Sequence, residues 1–385
     1  MVFKMLQVGS NWAPSKGGLD RYYNGLLDGF TENRVDHYAI AYDLNDIRSN
    51  NPRYMSFGSS ECGIVKRALR QACHLKSLLT DVDLVVSHCT PSMYPGLPWL
   101  GKTPLICHFH GPRYRERRLQ GNSHLSCVVS RHIENCVYRQ ARHFIVLSKY
   151  MASILSSEYG VPREEITVVP GGIDLDFYRP SLSSIDARKY LGIPVDRFVI
   201  STVRRLDRRM GLDNLILAMR IIASTYQDAL LLIFGEGPLR DELARLIEMN
   251  SLSGYVILKG FVPDKKLAAV YRASEITVLP TVDLEGFGMS ILESLASGTP
   301  VMGTPIGAIP EVLAPLNADL VFESIQPEDI ACGIMDVISK RKILPDDTTC
   351  LRYAEEYSWT PISKRILEVY EKALNSSQRS IARVK

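Results

Sequence analysis

Two carboxylates bracket the most chemically suggestive stretch of the chain. Glu285 opens it, Gly286-Phe287-Gly288 follow, and Glu293 lies beyond them. A carboxylate accepts paired hydrogen bonds from vicinal hydroxyls, which suits a sugar or a ribose. Ser290 to Ser297 carries Ile291, Leu292, Leu295 and Ala296 at helical spacing, so a helix amino terminus with unpaired N–H groups would face the glycine loop. Ile276-Thr277-Val278-Leu279 before the loop is short, apolar and β-prone, and Val301-Met302 resumes an extended run after Gly298-Thr299-Pro300. Strand, glycine loop, helix and strand make one turn of a doubly wound sheet, whose ligands bind at the carboxyl ends of strands. Because Glu285 precedes the helix, the two carboxylates are read as gripping different parts of one ligand. A glycine turn followed by a solvated helix glutamate accounts for the same residues without a ligand, and this stretch alone leaves both readings open.

Other chemistry-bearing residues also gather at strand-to-helix junctions. Arg204, Arg205, Arg208 and Arg209 fall between a strand at Phe198–Val203 and a helix at Leu212–Ile222. There, guanidinium forks and helix amides could converge on a diphosphate. Gly17 and Gly18 close the first such junction, after a strand at Lys4–Val8 and the loop Gly9 to Gly18; a plain tight turn explains them equally well. His108 and His110 share one side of a strand at Leu105–Phe109, but no third ligand falls at a suggestive spacing, so no metal site is expected. Arg113 and Arg115, in the basic run that follows, read either as a solvated loop or as a grip on a phosphorylated acceptor. Asp81-Val82-Asp83 has the form of a metal–nucleotide pair but precedes its strand, which argues against that role.

The elements that must position these residues alternate along the chain. Further strands are expected at His37–Tyr42, Leu84–Ser87, Phe144–Leu147, Thr167–Val169, Ala229–Phe234 and Tyr255–Leu258. Alternation with helices argues for α/β architecture with mostly parallel sheets. A chain of 385 residues, 46% hydrophobic, suits two domains rather than one. Pro170-Gly171-Gly172 and the Pro/Ser-rich stretch from Arg179 to Ser184 read as hinge and linker. The net charge is only +3, yet residues 1–150 carry an excess of basic residues and the remainder an excess of acidic ones. The basic half points to an anionic partner, a membrane surface or a phosphorylated acceptor, rather than to nucleic acid, whose binding motifs are missing. Ile64 to Leu79 reads as a basic amphipathic helix, with Ile64, Val65, Ala68, Leu69, Ala72, Leu75 and Leu79 on one face. The eight cysteines form no C-x-x-C pair, and no long apolar run or leader pattern appears, so a reduced cytoplasmic protein is expected, peripheral at most to the inner membrane surface. From Asn375 the chain is polar and basic and is expected to fray.

The stretch EGFGMSILE, followed by SGTPV and GAIPEVL, resembles the E-x7-E signature of retaining, nucleotide-sugar-dependent glycosyltransferases of the GT-B fold, and more narrowly glycosyltransferase family 4. GGLDRY, the H-G pair at His110, PGGIDLDFYRP and the arginine loop match further family segments in order, over about residues 4–373. The resemblance implies two Rossmann-like doubly wound domains facing a cleft. Residues 1–172 would form the acceptor-side domain, joined by a helix of about residues 361–378 that crosses back, and residues 173–360 the nucleotide-sugar-binding domain.

It also implies residue roles. Glu285 should hold the hydroxyls of the transferred sugar and His110 should lie beside that sugar. Glu293 should hold the ribose, and the main chain at Val262 should contact the base. Gly17, Gly18, Arg205 and the Gly286-Phe287-Gly288 segment should serve the diphosphate. The family lysine is replaced by Met210, for which Arg209 is the candidate substitute; Arg208 is expected to point to solvent. The activity implied is transfer of a hexosyl unit from a nucleoside diphosphate sugar, UDP by family frequency, to a saccharide, lipid-linked or small-molecule hydroxyl, with no metal and no cofactor. Two rivals stand beside it, a sugar-nucleotide epimerase of the same fold and a non-catalytic nucleotide-sugar-binding protein, the latter motivated by Met210.

Overall fold

The computed structural model describes residues 3–12, 17–44 and 46–382, with side chains described for these apart from 46, 47 and 376 onward. Ala13 to Lys16 of the first glycine loop lie outside the described residues. The chain divides into two compact units, one running to Gly172 and resuming at Trp359, the other covering Ile173–Ser358.

The first unit is built on seven strands: β1 (Met5–Asn11), β2 (Tyr38–Tyr42), β3 (Tyr54–Ser56), β4 (Leu84–Ser87), β5 (Leu105–Phe109), β6 (Ala141–Val146) and β7 (Ile166–Val168). Their order is β3-β2-β1-β4-β5-β6-β7 and every pairing is parallel. Strands covered by helices on both faces lose the alternation of apolar and polar residues. Accordingly β4, LVVS, and β5, LICHF, are buried at every position. The order reverses between β1 and β4, which makes the carboxyl ends of those neighbours the switch point of this sheet.

A stripe of missing side chains seats the last helix, Trp359–Ala382, on the first, Gly18–Glu32. A Cβ at Gly25 would stand 2.1 Å from Trp359 Nε1, and one at Gly29 would stand 2.9 Å from Ser363 Oγ. Asn33 Nδ2 then donates to Ser363 Oγ at 2.8 Å and to the Thr360 carbonyl at 3.0 Å. The backbone of this helix continues to Ala382.

In the second unit five parallel strands, β8 (Phe198–Val203), β9 (Ala229–Phe234), β10 (Val256–Gly260), β11 (Ile276–Leu279) and β12 (Val301–Gly303), take the order β10-β9-β8-β11-β12. Here the reversal falls between β8 and β11. Ala187, Val199, Leu230, Leu232 and Phe234 form one buried cluster of this unit.

Two expectations about surface segments need correction. The run after His110 is a helix, Arg113–Leu119, not a loop; it is polar all round, with no buried residue, so no apolar period betrays it. On the helix Ile64–Leu78 only Gln71 and Leu75 are buried, whereas Ile64 is 76% exposed and Val65 and Leu69 also face out. The expected apolar face is therefore split, its amino-terminal part lying on the surface. All eight cysteines are free thiols, and among the described residues no helix is long and apolar enough to cross a membrane.

Candidate active site

Because β8 and β11 are neighbours, the loops leaving their carboxyl ends run side by side, and residues far apart in the chain meet there. Arg204, one residue past β8, is buried, and its Nη2 donates to Glu285 Oε2 at 2.6 Å. Thr281 Oγ1 donates to the same oxygen at 3.3 Å. Burial alone would raise the Glu285 pKa, but the charges of Arg204 and Arg209, with these hydrogen bonds, outweigh it and hold the carboxyl below its usual range. Arg204 Nη1 is buried and has no partner among the described residues. A charged N–H left bare in the interior is costly unless something else comes to accept from it.

The main chain around Glu285 is equally constrained. Leu284 is buried at φ +53°, in the left-handed region that costs a branched residue about 1–2 kcal/mol. Arg209 Nη1 donates to its carbonyl at 2.8 Å and so helps to hold that conformation. The Glu285 carbonyl accepts from Ala308 N at 3.0 Å. Gly307 makes this contact possible, since a Cβ there would lie 2.3 Å from the Glu285 oxygen and its φ is +61°. Gly288, at φ +78°, turns the chain into the helix Met289–Ala296. The Phe287 ring is buried and faces Tyr357, with centroids 6.1 Å apart, so its ring packs inward beside the Gly286–Gly288 main chain. Glu293 is buried on that helix and accepts from Tyr271 Oη at 2.7 Å. The Val262 side chain packs on the cluster around Phe234 and Val270.

The arginines of this loop differ in burial and in partners. Arg205, the expected phosphate ligand, is 62% exposed, with Asp207 Oδ2 at 3.9 Å. It is Arg204 that reaches Glu285, and its Nη2 also meets Met210 Sδ. The cation beside Met210, where the family lysine is missing, is thus Arg204; Arg209 is engaged with the Leu284 carbonyl. Arg208 is exposed, as expected, and pairs with both oxygens of Glu242 at 2.9 and 2.8 Å.

A second polar cluster lies in the first unit at the carboxyl ends of β4 and β5. The register pairs Ser87 with Cys107, which brings His88 next to His108, their ring centroids 4.2 Å apart. His110 joins them, and one ring nitrogen of each of the three lies within 4.8 Å of the others. The spacing argument against a third ligand therefore fails: adjacent strands supply it. His88 Nε2 meets Gln7 Oε1 at 2.7 Å, and His108 is held between Tyr22 Oη at 3.0 Å and Tyr370 Oη at 2.7 Å. His88 Nδ1 and His110 Nε2 are buried without a partner among the described residues. Burial pushes the His110 pKa down to about 4, and burial with the neighbouring imidazoles pushes His88 and His108 well below the usual value.

The remaining sites of the first unit are plainer. Gly17 precedes the helix Gly18–Glu32, and a Cβ on Gly17 or Gly18 would meet no atom of the described residues. Arg113 is exposed and its N–H donates to Glu134 Oε1 at 2.8 Å, whereas the Arg115 guanidinium is engaged by Glu158 at 3.1 Å. Asp81 pairs with Lys4 Nζ, and Asp83 accepts from the Lys4 N–H, both at 2.8 Å, which explains that Asp-x-Asp pair structurally.

The two all-parallel doubly wound units, each with buried polar residues at its switch point, have the GT-B fold. Residues 16–177 match the family described as Glycosyltransferase Family 4, and residues 183–356 match Glycosyl transferases group 1. An uncharacterized glycosyltransferase of Methanocaldococcus jannaschii is 31% identical, over 94% of this chain and 96% of its own. The chain belongs to glycosyltransferase family 4. A D-inositol 3-phosphate glycosyltransferase of Thermobispora bispora is 28% identical over 69% of this chain and 61% of its own. Among solved structures, sucrose-phosphate synthase of Thermosynechococcus elongatus superposes with a TM-score of 0.79 at 18% identity, over 97% of this chain and 100% of the other. Anabaena HepE in complex with UDP and glucose gives 0.76 at 19%, over 96% and 100%.

Proposed function

We propose that the protein is a retaining hexosyltransferase that takes its sugar from a nucleoside diphosphate donor, a UDP-sugar, and transfers it without a metal ion or cofactor. The observation that carries this reading is the buried Arg204–Glu285 pair with Arg204 Nη1 left bare. It offers a donor for an anionic oxygen and, beside it, a low-pKa carboxylate for sugar hydroxyls. The leaving diphosphate needs its growing charge stabilised, and Arg204, exposed Arg205, the Gly286–Gly288 amides and the helix amino terminus supply positive potential there. Glu293, seated by Tyr271, takes the ribose, and the main chain at Val262 takes the base. Retention follows from a front-face exchange: the C1–O bond to the diphosphate breaks, the acceptor oxygen bonds C1 on the same face, and the acceptor proton passes to a diphosphate oxygen. His110, neutral and with Nε2 unpartnered, hydrogen-bonds the transferred sugar.

The acceptor is a saccharide, lipid-linked or small-molecule hydroxyl. A phosphorylated acceptor is in keeping with the activity named for the D-inositol 3-phosphate glycosyltransferase relatives, and exposed Arg113 is the arginine proposed to meet it. Exposed Ile64, Val65 and Leu69 beside Lys66, Arg67 and Arg70 suit the surface of an anionic membrane.

The test is a donor screen against an acceptor panel, read by mass spectrometry, with the anomeric configuration of the product read by NMR. A glycosylated acceptor of inverted configuration overturns the retaining reading. Free nucleoside diphosphate and sugar without product points to the epimerase, and donor binding without turnover points to the scaffold. Loss of transfer in EDTA, restored by manganese, overturns metal independence.

A further inference from the structure

The histidine cluster holds more than a sugar-facing His110 requires. Gln7 Oε1 can only accept, so at 2.7 Å it fixes His88 as the Nε2–H tautomer and leaves a lone pair on Nδ1. That lone pair is buried, with His88 only 2% exposed, and nothing among the described residues donates to it. His110 Nε2 is in the same condition. His108, between two tyrosine hydroxyls, can turn one nitrogen's lone pair inward while the other keeps its tyrosine. The rings of all three face Tyr22, whose centroid lies 6.1, 5.7 and 4.9 Å from those of His88, His108 and His110.

We propose that His88, His108 and His110 form a transition-metal site that takes Zn2+, with Gln7 orienting His88 from behind and a water or the Tyr22 hydroxyl as fourth ligand. Three neutral imidazoles with an open fourth position are a donor set for Zn2+; Mg2+ and Ca2+ require oxygen ligands. Ligand nitrogens at about 2.0–2.1 Å from zinc stand a little over 3 Å apart, so rings now within 4.8 Å close on the ion by small rotations. Half-buried His110 gives the ion its entry. An acceptor oxygen behind the metal-bound imidazole is the usual support of such a ligand, and Gln7 supplies it. Zn2+ bound here uses the Nε2 lone pair of His110 and therefore inhibits transfer. That last consequence rests on the proposed role of His110; the site itself does not.

The decisive measurement uses the full chain stripped of metal and titrated with Co2+ as a spectroscopic stand-in for Zn2+. One equivalent should bind with the intense visible absorption of a four-coordinate nitrogen and oxygen site, and Zn2+ should displace it. A weak six-coordinate spectrum overturns the proposal. So does a thiolate charge-transfer band, because His132 and Cys136 form an exposed pair at 3.5 Å that is the competing site. His88→Ala and His88→Gln should each weaken Zn2+ binding at least about 100-fold, and Gln7→Ala about 10–100-fold. His132→Ala should leave it unchanged. Unchanged affinity in the His88 variants, or loss in His132→Ala, overturns the site; if the His88 variants do not fold, the wild-type cobalt spectrum still decides. Stoichiometric Zn2+ should then lower transfer more than about 10-fold, reversibly with EDTA. Binding without inhibition keeps the metal site and overturns the placement of His110 beside the sugar.

Discussion

Arg204 Nη2 and Glu285 Oε2 lie 2.6 Å apart with both side chains buried, one on the loop after β8 and the other on the loop after β11. Removing one partner of a buried ion pair strands the other, at a cost of about 3–5 kcal/mol. Arg204→Ala should therefore lower stability by roughly that much. Arg204→Met combined with Glu285→Gln, which strands no charge, should recover most of it. Chemical denaturation of the single and double variants measures the coupling; additive losses would show that the pair is not an interacting unit.

Glu285→Gln separates sugar from nucleotide. The proposed role gives Glu285 contacts to the sugar alone, so calorimetry should find nucleoside diphosphate affinity within a few-fold of wild type while turnover is lost. Collapse of nucleotide affinity would move Glu285 to the diphosphate.

Arg209 and Arg208 are adjacent and should behave oppositely. Arg209→Ala removes a charged hydrogen bond that holds Leu284 in its left-handed conformation just before Glu285. Such a bond contributes about 1.5–3 kcal/mol, so kcat/KM should fall roughly 10–150-fold. Arg208→Ala breaks only an exposed pair with Glu242 and should stay within a few-fold. Steady-state kinetics with one donor at fixed salt compares them, and equal losses would refute the assignment.

Glu134 should make stability depend on pH. Burial pushes its carboxyl up from 4.5 to about 7. Between those values the folded chain holds the extra proton, so stability is fully present below about pH 4.5 and is lost as pH rises through 7. The difference amounts to about 3 kcal/mol at most. Glu134→Gln should remove this part of the slope, so its melting temperature should fall less than that of wild type between pH 5 and 8.

Much of this architecture is legible in the sequence because apolar strand runs end at glycines, arginines or histidines that mark the strand tips. β3 is not, since Tyr54-Met55-Ser56 is three residues long at a sheet edge and carries no pattern. The choice between Arg204 and Arg205 is equally hidden. Successive residues at a strand's end point opposite ways, and only the placement of β11 beside β8 decides which of them meets Glu285. His88 shows the same limit, because its neighbour His108 is set by the register of β4 on β5 rather than by spacing along the chain.

The seating of the last helix on Gly25 and Gly29 bears on the order in which the protein is made. Residues Ile173–Ser358 are one continuous stretch and a unit by themselves, so nothing beyond Ser358 is needed to complete it during synthesis. The unit begun before it waits longer, because Trp359 and Ser363, which fill the trough over those glycines, and Tyr370, which caps His108, follow the whole of Ile173–Ser358 in the chain. Until they emerge the trough stands open, so the unit started before the other is the one that depends longer on protection from aggregation.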